Sequence, residues 1–188
     1  MAYEIELKAR IDDPPGIERE LEKRCTFERK LEKRDAYYRF PPGAPDSERT
    51  IRIRREEGAS FAASKVKNVV GDLEENEELE FALAEPDKFE ELLRVMGCSF
   101  YIKKEKRGKR FRKGGLVLEL CEVAGLGWFL EIEKVLERKT PEAVSAARRE
   151  ILLILKELGI SEDRIETRFY SDMLMELQAG EEGKSLSP

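Results

Sequence analysis

Glu4-Ile5-Glu6-Leu7-Lys8 sets two acids and a base at every second position, with apolar residues between them. Alternate side chains of a strand share a face. The spacing therefore predicts a strand with Glu4, Glu6 and Lys8 on one side and Tyr3, Ile5 and Leu7 on the other. The same period returns down the chain with the sign of the charge changing. Acidic pairs at strand spacing are Glu4/Glu6, Glu78/Glu80 and Glu131/Glu133. Basic pairs are Arg52/Arg54, Lys65/Lys67 and Lys104/Lys106. Any one pair reads equally as a solvated Glu–Lys ladder on an exposed sheet. The series reads either as a charged interior face that holds a polyanion together with a metal or as the heavily charged surface of a heat-adapted protein.

Composition narrows the chemistry. The 188 residues fit one domain. Charged residues make up 40% of the chain, far above the usual quarter, yet the net charge is only −5. A general nucleic-acid binder is more often basic overall, so no nucleic-acid partner is expected. No apolar stretch approaches membrane-spanning length and no signal peptide is recognisable, so no membrane partner and a cytoplasmic location are expected. Cys25, Cys98 and Cys121 are three cysteines far apart, which suits neither a disulfide scaffold nor a zinc cluster. There is no histidine, hence no imidazole base, triad or metal ligand. Carboxylate ligands favour Mg²⁺ or Mn²⁺. Scarce Asn and Gln beside abundant Lys, Arg and Glu hint at a heat-adapted source.

Strand-like alternation covers residues 3–11, 28–40, 49–55, 60–69, 76–84, 99–113, 116–123 and 128–136. Turn signals separate most of them: Pro41-Pro42-Gly43, Gly58, Gly71-Asp72, Gly114-Gly115 and Gly125-Leu126-Gly127. Short connections imply antiparallel pairing, as a meander, an open sheet or a closed barrel. If Gly114-Gly115 forms a turn, Lys113 faces Leu116, Arg110 faces Glu119 and Gly108 faces Cys121. Opposed residues share a face, so Lys104, Lys106, Arg110 and Arg112 are expected beside Glu119 and Cys121. Phe111 is expected on the other side with Val117, leaving Leu118 inward as an exception to the alternation. Helices are expected over 15–24, from Pro86 to Gly97, and from an N-cap at Thr140 to Gly159 with a stripe of Val144, Ala147, Ile151, Leu152, Leu155 and Leu158. A short helix is expected over 170–177. One domain over 1–178 and a disordered tail over 179–188 complete the expected layout.

The ordered motifs resemble those of the CYTH family, the triphosphate tunnel metalloenzymes. Glu4, Glu6 and Lys8 match its E-x-E-x-K signature. Asp35-Ala36-Tyr37-Tyr38 looks like D-x-Y-[YF], and Thr50-Ile51-Arg52-Ile53-Arg54 looks like L-R-[IV]-R. Ser64-Lys65-Val66-Lys67 is similar to the T-x-K segment, and Glu77-Glu78-Leu79-Glu80 to R-x-E-x-E. The run from Glu122 to Glu133, containing Gly125-Leu126-Gly127, is close to D-x-V-x-G-L-G-x-F-x-E-[IL]-E. The resemblance spans about residues 2–170 and implies an α+β fold, mainly β: an eight-stranded antiparallel closed tunnel barrel with flanking helices.

It also implies roles. Glu4, Glu6, Glu131 and Glu133 become candidate ligands for Mg²⁺ or Mn²⁺. Lys8, Arg52, Arg54, Lys65 and Lys104 become candidate triphosphate contacts, with Lys106 and Arg110 on a strand whose motif register is open. Arg112 shares that strand, and Lys67, Glu78 and Glu80 are further lining candidates. Glu4, Glu6, Lys8 and Lys65 form the implied catalytic set. Cys121 stands where the family has an Asp; either Glu119, on the same face, replaces that acid or one metal position is weak, and Cys121 itself reads as a buried, inert side chain. With no histidine, the proton acceptor is a carboxylate, a lysine, a tyrosine, metal-bound hydroxide or the substrate. Tyr37, Tyr38 and Tyr170 are tyrosine candidates by family position, with Tyr37 and Tyr170 reading rather as packing residues. The implied partner is a small triphosphate: ATP, thiamine triphosphate or inorganic triphosphate. The implied activity is adenylate cyclase-like, with triphosphate hydrolysis, a non-catalytic triphosphate-binding module and a ligand-free charged barrel as the competing readings. The apolar residues of the last helix serve either the core or a homodimer contact, so the oligomeric state stays open.

Overall fold

The computed structural model describes residues 2–44 and 49–185. Eight strands occupy it: β1 (Ala2–Arg10), β2 (Thr26–Arg39), β3 (Thr50–Glu56), β4 (Ala59–Val70), β5 (Leu73–Ala82), β6 (Ser99–Lys113), β7 (Leu116–Val123) and β8 (Gly127–Leu136). They close into a barrel in the order β1-β5-β4-β3-β2-β6-β7-β8, every neighbour antiparallel. Of the three open possibilities the closed barrel is the one formed, and closure leaves no unpaired sheet edge. Four helices flank it: α1 (Pro14–Arg24), α2 (Pro86–Val95), α3 (Pro141–Glu157) and α4 (Tyr170–Ser185).

Local chemistry fixes the helix ends. Thr140 Oγ1 accepts from the Ala143 amide at 3.2 Å and Pro141 takes the first helical position of α3. Asp13 Oδ1 accepts from the Gly16 amide at 3.0 Å and starts α1 one residue before the expected Pro15. Helix α4 runs well past Leu177 and reaches Ser185, into the stretch expected to be a tail; residues 186–188 lie outside the described residues.

The main core lies outside the barrel. Ile5, Leu7, Leu118, Leu120, Leu130 and Ile132 point away from the tunnel and meet Ala147, Ile151, Ile154 and Leu155 of α3. Burying each such aliphatic side chain contributes roughly 1.5–3 kcal/mol, so α3 secures β1, β7 and β8 to one another. The stripe of α3 is thereby spent on the core. The β6–β7 register agrees with the expected turn: Lys113 opposes Leu116, Arg110 opposes Glu119 and Gly108 opposes Cys121. It also removes the expected exception. Phe111 opposes Leu118, both fully buried on the outer face, while Val117 opposes Arg112. A smaller core under α2 joins Leu93 to Ile53, Ala36 and Tyr38. The N-terminal half of α4 packs Tyr170 and Met173 on Val123 and Phe129, and Leu174 on Tyr37 and Ile102.

Candidate active site

With the apolar side chains of each strand turned outward, the alternate ones fill the tunnel. They surround a cavity of about 200 Å³ lined by Glu4, Glu6, Glu74, Glu78, Glu80, Glu119, Glu131 and Glu133, by Lys33, Arg52, Arg54, Lys65, Lys104, Lys106 and Arg110, and by Tyr37 and Tyr170. The charges are sorted around the ring. All the lining carboxylates come from β7, β8, β1 and β5, which are contiguous in the barrel. All the lining cations come from β4, β3, β2 and β6, the other contiguous half. Strand order thus turns alternating charged pairs into an acidic wall facing a basic wall.

The walls meet at two seams. At the β4–β5 seam Lys65 Nζ lies 2.8 Å from Glu4 Oε2, 3.5 Å from Glu6 Oε2 and 3.7 Å from Glu78 Oε2. Burial works against the Lys65 ammonium, but Glu6, Glu4 and Glu78 outweigh it and raise its pKa. Arg52 pairs with Glu78 and reaches Glu80 at 2.9 Å. At the β6–β7 seam Lys33 donates to Glu119 at 2.6 Å, Lys106 bonds Glu131 and lies 3.4 Å from Glu119, and Arg110 lies 3.6 Å from Glu119. Burial opposes ionisation of Glu119, but Lys106 and Lys33 hold its carboxyl far below the usual range.

Inside the basic wall Asp35 organises the cations. Arg54 grips it bidentately at 2.8 and 3.0 Å, and Lys104 sits 3.1 Å away. Burial would favour the neutral acid, yet Arg54 and Lys104 hold the Asp35 carboxyl well below its ordinary pKa. Lys104 also donates to the Tyr37 hydroxyl at 2.9 Å. Such a fork fixes guanidinium direction, which is what bidentate phosphate recognition requires.

The expected metal carboxylates fall into two groups. Glu6 opposes Glu133 across β1–β8, and Glu119 opposes Glu131 across β7–β8. Glu119 and Glu131 are engaged by lysines. Burial, then the neighbouring Glu4 and Glu6 carboxylates, pushes Glu133 up to about 7. Burial also raises Glu4, against the pull of Lys65. Glu4 Oε2, although ion-paired with Lys65, and Glu131 Oε1 are buried without an accepted hydrogen bond of normal geometry. Crowded carboxylates with unsatisfied oxygens fit a hard divalent cation in charge and donor type. Among the described residues, no three such side chains converge into a ready-made cage. Cys121 is fully buried, and burial pushes its thiol up to about 12, so it stays neutral.

Several expected placements change. Lys8 is nearly inaccessible, bonds Glu74 and is not among the residues lining the cavity. Arg112 is exposed and donates to Glu28 at 2.9 Å. The side chain of Lys67 lies outside the described residues. Tyr38 turns outward, and its hydroxyl donates to Glu90 at 2.9 Å. Tyr37 and Tyr170, read as packing residues, line the cavity as well as packing. Lys33, Asp35 and Glu74 belong to the ionic network without having been singled out for it. For the first two a signal existed: Lys33, Asp35 and Tyr37 alternate as Glu4, Glu6 and Lys8 do.

The CYTH domain model matches residues 2–170. A Methanocaldococcus jannaschii protein named "putative adenylate cyclase" is 26% identical over 172 residues, covering 90% of this chain and 97% of that one. A Pyrococcus horikoshii OT3 protein of known structure is 30% identical, with TM-score 0.79 and coverage of 92% and 98% of the two chains. A Hippeastrum protein of known structure superposes with TM-score 0.62 at 21% identity, covering 96% of each chain. Its name describes a "putative adenylyl cyclase" with a dominant triphosphatase activity.

Proposed function

The chain belongs to the CYTH domain family, and from that premise we propose that it is a divalent-metal-dependent enzyme acting on a triphosphate, in the manner of an adenylate cyclase. The observation that carries this reading is the division of one tunnel into an acidic and a basic wall. A triphosphate needs cations around its oxygens, and a metal needs carboxylates beside them. Arg52, Arg54, Lys65, Lys104, Lys106 and Arg110 hold the phosphates. Glu4, Glu6 and Glu133 hold Mg²⁺ or Mn²⁺, with Glu131 and Glu119 adjoining. When bound, the metal supplies neutralisation of charge on the phosphate chain. The protein's own contribution is preorganised charge around the cavity.

In the cyclase reaction the ribose 3′-hydroxyl of ATP attacks the α-phosphate and pyrophosphate leaves. Lys65 is held protonated by the carboxylates around it, and Tyr170 by burial and the nearby Glu131. Both serve as donors rather than bases in this state. Tyr38 lies outside the tunnel, so the candidates to take the proton are a lining carboxylate, Tyr37, a lining lysine such as Lys33, whose pKa burial lowers, metal-bound hydroxide or the substrate. The competing reading is hydrolysis of the terminal phosphate. It is favoured by the cavity walls, whose described residues are charged groups and two tyrosines.

Incubation with Mg²⁺ or Mn²⁺ and, separately, ATP, thiamine triphosphate and inorganic triphosphate, followed by chromatography, separates these. Cyclic AMP with pyrophosphate from ATP is the expected result. Orthophosphate with the matching diphosphate moves the assignment to a triphosphatase. Binding without product leaves a binding module, and no binding leaves a charged structural barrel. Glu4→Gln is expected to abolish turnover; full activity in that variant removes Glu4 from the metal site.

A further inference from the structure

Tyr170 is the first residue of α4 and the one residue of that helix among the described residues lining the tunnel cavity. The preceding segment is stitched to β1: Ile165 bridges Ala9, and the Glu166 amide donates to the Lys8 carbonyl at 2.9 Å. Arg10 clamps Glu166 through Nε at 3.0 Å and Nη2 at 2.8 Å. The ring is then set edge-on against Phe129, centroids 5.0 Å apart. Three ammonium groups gather around it. Lys104, Lys8 and Lys106 lie 5.4, 5.5 and 5.8 Å from its centroid. An aromatic ring attracts cations electrostatically, which eases the convergence of three like charges in a buried place.

Its hydroxyl is left over. Tyr170 is 5% exposed, and its oxygen is buried without a hydrogen bond of normal geometry. Burial raises the phenol's pKa, and Glu131, which interacts with the hydroxyl, raises it further without satisfying it in normal geometry. A buried orphan hydroxyl costs stability, and this one lines the cavity.

We propose that the Tyr170 hydroxyl is a substrate-binding group, the neutral donor to a phosphate oxygen of the triphosphate chain beside the start of α4. The inference rests on the triphosphate reading above. The ring gathers the lysines and the hydroxyl completes the shell of donors with one hydrogen bond that carries no charge.

Tyr170→Phe isolates the hydroxyl, because it keeps the ring. Two quantities are read on the full chain: the ligand-free Tm and the affinity for inorganic triphosphate with Mg²⁺ by titration calorimetry. The expected result is an affinity about tenfold weaker with a ligand-free Tm equal to or above that of the wild type, since an unsatisfied hydroxyl has been removed. Tyr38→Phe, which loses a hydroxyl bonded to Glu90 outside the tunnel, is expected to bind as the wild type does. Unchanged affinity in Tyr170→Phe overturns the assignment and leaves the triphosphate reading standing. A ligand-free Tm lower by several degrees also overturns it, because the hydroxyl then serves the fold. A wild type that binds no triphosphate overturns the functional reading itself, and this inference with it.

Discussion

Glu133 illustrates how a proposed metal ligand strains its surroundings. Burial and the neighbouring Glu4 and Glu6 raise its pKa from 4.5 to about 7. A carboxyl raised in the folded state contributes stability that is complete below its unfolded pKa and is lost as pH rises through the folded one. Near pH 8 the ligand-free protein therefore carries an ionised Glu133 at a cost of about 3 kcal/mol. Glu133→Gln imitates the neutral acid at every pH. It should raise the ligand-free Tm by about 6–12 °C at pH 8 and by only about 1–3 °C at pH 5, as read by calorimetry. An equal effect at both pH values refutes the shifted pKa. Glu133 was legible in the sequence, because Glu131 and Glu133 repeat the spacing of Glu4 and Glu6. Its crowding was not, because it arises across the β1–β8 pairing, where Glu6 opposes Glu133.

At the scale of elements, the β6–β7 hairpin decides whether the basic wall meets the acidic one. The Gly114-Gly115 turn made its register readable, since a two-residue turn fixes which residues oppose each other. Gly108 shows what the sequence left hidden. A Cβ there would lie 2.1 Å from the Leu120 carbonyl oxygen and 2.7 Å from the Cys121 Cα. The strands approach so closely that Gly108→Ala must push β6 from β7, and Lys106 from Glu119. A cost of about 2–3 kcal/mol is expected, lowering Tm by roughly 5–10 °C and weakening triphosphate binding as well. A variant with wild-type Tm contradicts this close approach. The start of β5 was hidden for a different reason. Leu73-Glu74-Glu75 reads locally as an extension of the Gly71-Asp72 turn, whereas Glu74 is buried against Lys8, far away in the sequence. Caps and turns are local signals; a buried ion pair between distant strands is not.

At the scale of the whole molecule, strand identity was legible but ring order was not. Sequence neighbours joined by tight turns account for β3–β4, β4–β5, β6–β7 and β7–β8. Closure through β1–β5, β1–β8 and β2–β6 collects the acids on one arc and the cations on the other, and only that arrangement creates opposed walls. It has a thermodynamic consequence. Without a metal, a triphosphate that gains the basic wall also faces Glu4, Glu6 and Glu133 across a narrow cavity. Without a triphosphate, a metal that gains the acidic wall faces Lys65. Each ligand removes the repulsion that opposes the other, so the two should bind with positive coupling of about 1–3 kcal/mol, equal in both directions. Calorimetric titration of inorganic triphosphate with Mg²⁺ and with a chelator measures it; affinity should be about 5–150-fold higher with the metal. Magnesium also binds free triphosphate, so the decisive comparison is with Glu4→Gln. That variant should keep the metal-free affinity, or improve on it, and lose most of the metal-dependent gain. A metal-dependent gain unaltered by Glu4→Gln would place the ion on the phosphates alone, and the acidic wall would then need another purpose.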